Sequence, residues 1–321
     1  MSGIFGWILA VLLNPPHEAE MSERLAPPGF QGNYYGPEAT KARQEGRMAP
    51  IVVTPHMARW DRWGRKVLKT GDIVFRMGDA RLAHGYFKIS RFLAKVSNSE
   101  FSHTGIVSFE GDELVVYDTT RTGAARQPFC VWVLDNVGQI GVKRARPEYK
   151  DAIPKVMAYL HRVFDEQLPF DYELDVDDKA LYCVEMTEKA YRAAGLKLSD
   201  PVRLGDMERA TEFPIPLLVL AFASRYQLER PLTPDSLVFF PGNERHGIWS
   251  AKQLMTVIPP TWAPGYPNMN EQTPATRTVP DNKVADAKKV SAPNQRKAEA
   301  KIAKPRTGAA STGARTVPKG T

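Results

Sequence analysis

Two short runs of the chain hold residue types suited to nucleophilic chemistry. In Leu181-Tyr182-Cys183-Val184-Glu185-Met186 a cysteine falls in the first turn or two of a helix-like pattern, and in Ser102-His103-Thr104-Gly105-Ile106-Val107 a histidine opens an otherwise apolar strand. A thiol there sees the positive end of the helix dipole, which favours the thiolate, and the N–H groups at the same end can hold an oxyanion. A cysteine nucleophile also needs a base, and the base an orienting group. His103 is the candidate base. Asp118 ends a strand expected to pair with that of His103 through the turn Glu110-Gly111-Asp112. In an antiparallel hairpin the start of one strand lies beside the end of the next, so Asp118 is expected next to His103.

Taken singly, each residue has a plainer role: Cys183 as small core filling, His103 as a surface residue before a strand, Asp118 as a turn cap. The catalytic reading rests on their combination. Cys130, in Phe129-Cys130-Val131-Trp132, alternates on an apolar run and reads as core. His56, His84, His161 and His246 lack metal-ligand spacing and no glycine-rich phosphate loop occurs, so neither a metal nor another cofactor is expected.

Elements able to position these groups begin at Leu68. Lys69-Thr70-Gly71-Asp72 reads as a turn entering the buried strand Ile73-Val74-Phe75, and a helix is expected around 85–96. Strands are expected over 104–109, 113–117, 129–134 and 138–143. Two helices follow, one over 149–167 with Pro154 in its first turn, the other over 178–194 with Asp177 or Asp178 as N-cap and Gly195 as its stop. Leu232-Thr233-Pro234-Asp235 reads as a turn or helix start, and 237–240 and 247–249 as closing strands. The apolar run 217–223 has no evident purpose.

Outside this region the pattern fails. Residues 1–13 form a short apolar segment, open to reading as a membrane-interface anchor, a poor export signal or a packed helix, and it sets the cell envelope or a membrane-associated position slightly ahead of the cytoplasm. Residues 14–66 read as a Pro/Gly-rich arm that wraps the domain through Tyr34, Tyr35, Trp60 and Trp63. The domain proper is placed at 67–262. Residues 263–321 contain no Phe, Trp or Leu and are expected to be a disordered basic tail.

Charge sharpens that division. The 321 residues carry 43 basic and 36 acidic side chains, a net +7; eleven of the basic and four of the acidic residues fall in 264–321, which leaves 32 of each before it. The excess therefore belongs to the tail, which suits weak, salt-dependent contact with an anionic surface, and specific nucleic-acid binding is not expected of the domain. Two cysteines cannot build a disulfide scaffold, and no apolar run reaches the 18 residues of a spanning helix.

The order of Gly-Asp-Ile-Val (71–74), Ser-His-Thr-Gly-Ile-Val (102–107), a Tyr-Asp at a following strand end, Pro-Phe-Asp-Tyr (169–172) and Tyr-Cys-Val-Glu (182–185) resembles the circularly permuted papain-like cysteine amidases, in the YiiX/YaeF-like branch of the NlpC superfamily. The resemblance spans about residues 66–258. It implies an α+β fold in which an antiparallel sheet or small barrel packs against helices, with the cysteine at a helix N-terminus. It implies Cys183 as nucleophile, His103 as general base and Asp118 in the polar third position, where the family often has Glu. Val184 stands where the family commonly has Ser. Tyr182 and Tyr172 are candidate wall or oxyanion residues, while Asp72 and Asp171 fit turn-fixing roles first. The implied activity is hydrolysis of an amide, on a cell-wall peptide for instance. The alternatives are a lipid-directed acyltransferase or deacylase using the same thiol, and a non-catalytic envelope or binding protein that keeps the fold.

Overall fold

The computed structural model describes residues 21–81, 88–174, 176–213 and 232–262. The apolar segment 1–13, the run 217–223 and the basic tail 263–321 lie outside the described residues.

Eight strands and six α-helices are assigned within them: β1 (Ile73–Arg76), β2 (His103–Glu110), β3 (Glu113–Thr120), β4 (Gly123–Pro128), β5 (Gln139–Ala145), β6 (Val202–Arg203), β7 (Leu237–Val238) and β8 (Leu254–Trp262); α1 (Pro37–Gln44), α2 (Pro55–Val67), α3 (Ile89–Val96), α4 (Phe129–Trp132), α5 (Ile153–Asp165) and α6 (Cys183–Ala193). Six strands form one open antiparallel sheet in the order β4-β3-β2-β1-β5-β8, so the fold is α+β with a sheet that does not close into a barrel. Strand alternation gives the sheet two buried faces. Ile73, Phe75, Ile106, Val115 and Tyr117 point into one core, beneath α5 and α6; Val74, Val107, Val116, Ile140 and Val142 point into the other, beneath α2 and α4.

The turn before β1 shows why its residues are needed. Gly71 has φ +88°, and a Cβ there would lie 2.7 Å from Ile153. Asp72 is fully buried, accepts the Lys69 N–H at 2.8 Å and pairs through both oxygens with Arg144. It fixes the turn, as Asp171 does through the Glu173 N–H at 2.8 Å.

Several expectations are corrected. Residues 14–66 are more than an extended arm: α1 and α2 form there, and Tyr34, Tyr35, Met57 and Trp60 belong to the second core. The apolar stripe of α2 is narrow because it includes Gly64, where a Cβ would meet Leu114 and Phe129 at 2.7–2.8 Å. The chain just before α1 also covers the sheet edge, with Arg126 N–H donating to Tyr35 O and Asn33 Nδ2 to Ala124 O. Phe129–Trp132 is helical, not a strand; buried on all sides, its apolar run carries no period to read. The small and polar stretch 123–128 is instead a strand, and 248–250 is a single 3-10 turn. The sheet ends at β8, whose prolines are tolerated at an edge.

Candidate active site

Cys183 is the first residue of α6, and Tyr182 before it is extended at the N-cap with φ −99° and ψ 165°. The helix therefore starts five residues later than the Asp178 expected from sequence. Tertiary pairing sets the start: Leu181 N–H donates to Pro169 O and Asp171 N–H to Leu181 O, so the 169–171 strip holds the chain extended up to the cysteine. Asp177 spends its side chain on the Lys179 N–H at 2.8 Å, closing a local turn rather than capping α6. The amides of Cys183 and Val184, in the first turn, have no intrahelical acceptor.

A buried hydroxyl ladder fastens this helix end to the histidine strand. Thr104 Oγ1 and Thr187 Oγ1 lie 2.9 Å apart, and both reach the Cys183 carbonyl, at 3.3 and 3.1 Å. Thr104 follows His103 directly, so the contact that seats α6 also sets the thiol's distance from the ring.

His103 opens β2, and its Nε2 is 2.8 Å from Asp118 Oδ2 on β3. That leaves Nδ1 for Cys183, whose side chain is close enough to act on the charge of the ring. Burial opposes a charge on the imidazole, as does Arg76. The negative charge of Cys183 and the hydrogen bond to Asp118 outweigh them and lift His103 to about 9. Asp118 is fully buried at its side chain. It accepts three bonds: from His103, from Trp132 Nε1 at 2.7 Å and from Gln127 Nε2 at 3.3 Å. Sequence reasoning missed Trp132 and Gln127, because Trp132 sat in a run read as an apolar strand and Gln127 in one with no strand signal.

Two further neighbours complete the support. Gly105 leaves room for the indole: a Cβ there would stand 3.3 Å from Trp132 Nε1 and 2.4 Å from Val116 Cγ1. Arg76 pairs across the sheet with His103, stacks on Trp132 at 4.7 Å and lies 3.6 Å from Asp135, which Ser22 bonds twice from the N-terminal side of the chain.

Tyr182 and Tyr172 both line the cavity that opens over Cys183. Neither hydroxyl is offered to it. Tyr182 Oη donates to Phe239 O and accepts from Phe239 N–H, and Tyr172 Oη donates to Arg121 O at 2.8 Å. Both contribute to the cavity wall, with their hydroxyls bonded to main-chain groups.

Glu185, in the first turn of α6, is fully buried; burial raises its carboxyl to about 8, with Asp171 adding to the effect and Lys189, 2.9 Å away, opposing it. Cys130 is also buried, and its thiol is pushed up to about 11 for that reason. Among the described residues no group of three or more His, Cys, Asp or Glu side chains is arranged to hold a metal, and no helix is long and apolar enough to cross a membrane.

Comparison with known proteins gives two findings. Residues 67–215 match the model of the peptidase C92 family, described as permuted papain-like amidase enzymes of the YaeF/YiiX type. Among solved structures the chain is similar to that of metalloprotein yiiX from Escherichia coli O157:H7, with 21% identity, a TM-score of 0.49, and coverage of 61% of this chain and 99% of that one. No curated protein matches it.

Proposed function

We propose that the chain, whose residues 67–215 match the permuted papain-like amidase family model, is a thiol-dependent amidase in which Cys183 is the nucleophile, His103 the acid and base, and Asp118 the group that orients and charges the ring. One observation carries this reading: a single imidazole lies between a helix-end thiol and a buried carboxylate, 2.8 Å from the latter.

The steps follow from that order. Cys183 transfers its proton to His103 Nδ1 and attacks the amide carbonyl carbon. The oxyanion that forms is held by the amides at the start of α6. The C–N bond breaks as His103 returns the proton to the departing nitrogen, leaving a thioester on Cys183. Water, deprotonated by His103, attacks the thioester; the acid leaves and the thiol is restored. Asp118 keeps its charge throughout and holds Nε2–H in place.

The substrate proposed first is a cell-wall stem peptide, and the second an acylated lipid. Turnover of an amide substrate by the purified chain tests the proposal. Cys183→Ala should lose it while keeping the wild-type circular dichroism and melting temperature. A Cys183→Ala protein as active as wild type would refute the assignment, and a wild-type chain whose thiol is inert would support the non-catalytic reading.

A further inference from the structure

Arg76 brings a buried positive charge to the His103 ring, and its surroundings leave that charge incompletely paired. It ends β1 directly across from His103, and opposite residues on neighbouring strands carry their side chains on the same face of the sheet. Its side chain is 2% exposed, and its guanidinium stacks on the Trp132 indole at 4.7 Å, while the same indole lies 5.8 Å from the His103 ring. Nε and Nη1 have no hydrogen-bond acceptor among the described residues. The carboxylate that faces the guanidinium, Asp135, is 3.6 Å from Nη2, beyond a hydrogen bond.

Ser22 competes for that carboxylate. Its N–H and its hydroxyl donate to the two Asp135 oxygens at 2.9 and 2.5 Å, and the Tyr35 hydroxyl in turn holds the Ser22 carbonyl. The segment before α1 thus keeps Asp135 engaged, and Arg76 retains much of its charge. An apolar side chain of similar length would spare the core that cost, so packing alone does not account for an arginine here. The other charges around the ring are placed differently. Asp118 on β3 and Cys183 on α6 face it, and charged side chains that share its cavity pair with one another, Arg121 with Glu23 at 3.2 Å and Arg81 with Asp79 at 2.7 Å. Burial, and after it Arg76, opposes a proton on the imidazole, against Cys183 and Asp118, which favour it.

We propose that Arg76 is a positioning residue for the proton on His103: its partly paired guanidinium keeps the imidazolium a ready donor to the departing amine, and the hold of Ser22 on Asp135 sets how much of that charge the ring meets. The inference rests on the thiol chemistry proposed above and concerns its second proton transfer. As the C–N bond breaks, the electron pair stays with nitrogen, which takes the proton that His103 received from Cys183. A cation across the strand favours the neutral ring that this leaves.

The full chain is isotope-labelled at histidine for NMR, the His103 signal is identified by its loss in His103→Ala, and its titration midpoint is read in two variants with opposite expectations. Arg76→Met removes the cation, and His103 should bind its proton about three- to tenfold more tightly, moving the midpoint up from about 9. Asp135→Asn removes the counter-charge and should move the midpoint down. A side chain acting through packing alone would produce no such reversal of sign. Arg76→Met should also lose about tenfold more turnover of an amide than of an activated ester of the same acid, whose leaving group needs no proton. Fast labelling of Cys183 by iodoacetamide, with both midpoints at the wild-type value or with equal losses on the two substrates, would overturn the role of Arg76 and leave the thiol chemistry standing. If Arg76→Met does not fold, an unmoved midpoint in Asp135→Asn is enough to overturn it. Labelling of Cys183 in the wild-type chain as slow as that of Cys130 would overturn both.

Discussion

Asp118 Oδ2 is shared between His103 Nε2 at 2.8 Å and Trp132 Nε1 at 2.7 Å. The carboxylate beside the proposed base is thus itself held by an indole of the second core. A charged oxygen at 0% side-chain exposure is tolerable only with such partners, and here the indole and Gln127 supply them.

Asp118→Asn keeps the size and removes the charge. His103 loses one of the influences that raise it, so the alkaline limb of kcat/KM against pH should move down from about 9, and kcat should fall by about ten- to a hundredfold. A profile that superimposes on wild type would remove Asp118 from the account.

Trp132→Phe deletes one N–H to a buried carboxylate and keeps an aromatic ring, smaller than the indole, at that position. Stability should drop by about 1–3 kcal/mol in urea titrations, with a decrease in kcat larger than any change in KM. Gly105→Ala reaches the same contact sterically and should cost a comparable amount, about 1–3 kcal/mol, by overpacking against Val116 and the indole.

Thr187→Val conserves volume and cuts the hydroxyl ladder between α6 and β2. The Cys183 carbonyl then loses one of its two hydroxyl donors, and kcat should decline severalfold while the melting temperature changes little. Rescue by Thr187→Ser would tie the effect to the hydroxyl.

Stability should fall as pH rises. Burial keeps the Glu185 carboxyl protonated to about 8, whereas an unfolded glutamate releases its proton near 4.5. The folded chain therefore binds more protons in between, and the contribution is complete below about pH 4.5 and lost on passing 8. His103 acts in the same direction between 6.5 and about 9. The urea midpoint should drop between about pH 7 and 9, and Glu185→Gln should flatten the part of the slope below about pH 8. An unchanged slope in that variant would contradict a buried protonated Glu185.

Much of the site could be read from sequence because its geometry is local. The Glu110-Gly111-Asp112 turn and two alternating runs suffice to put Asp118 beside His103, since register follows from a tight hairpin. The start of α6 was less legible: Asp177 and Asp178 offer a capping signal, but pairing of Leu181 with the 169–171 strip decides the boundary. Phe129–Leu134 is apolar at every position and so has no period, and 123–128 owes its strand to β3 and Tyr35 rather than to its own residues. Trp132, Gln127 and Thr187 meet the site only through packing, and nothing in their sequence neighbourhoods marks them.

The charge division makes its own prediction for the basic residues beyond Pro264. Deleting 264–321 should reduce retention on anionic vesicles at low salt and spare turnover of a small soluble amide. Loss of that turnover would place part of the catalytic function in the tail.

The central claim is that His103 activates Cys183, and site-resolved alkylation by iodoacetamide tests it most directly. At about pH 7 Cys183 should be modified about a hundredfold faster than Cys130, whose thiol burial pushes up to about 11, and His103→Ala should erase most of that advantage. Equal, slow labelling of the two cysteines, or a Cys183 rate indifferent to His103, would contradict it.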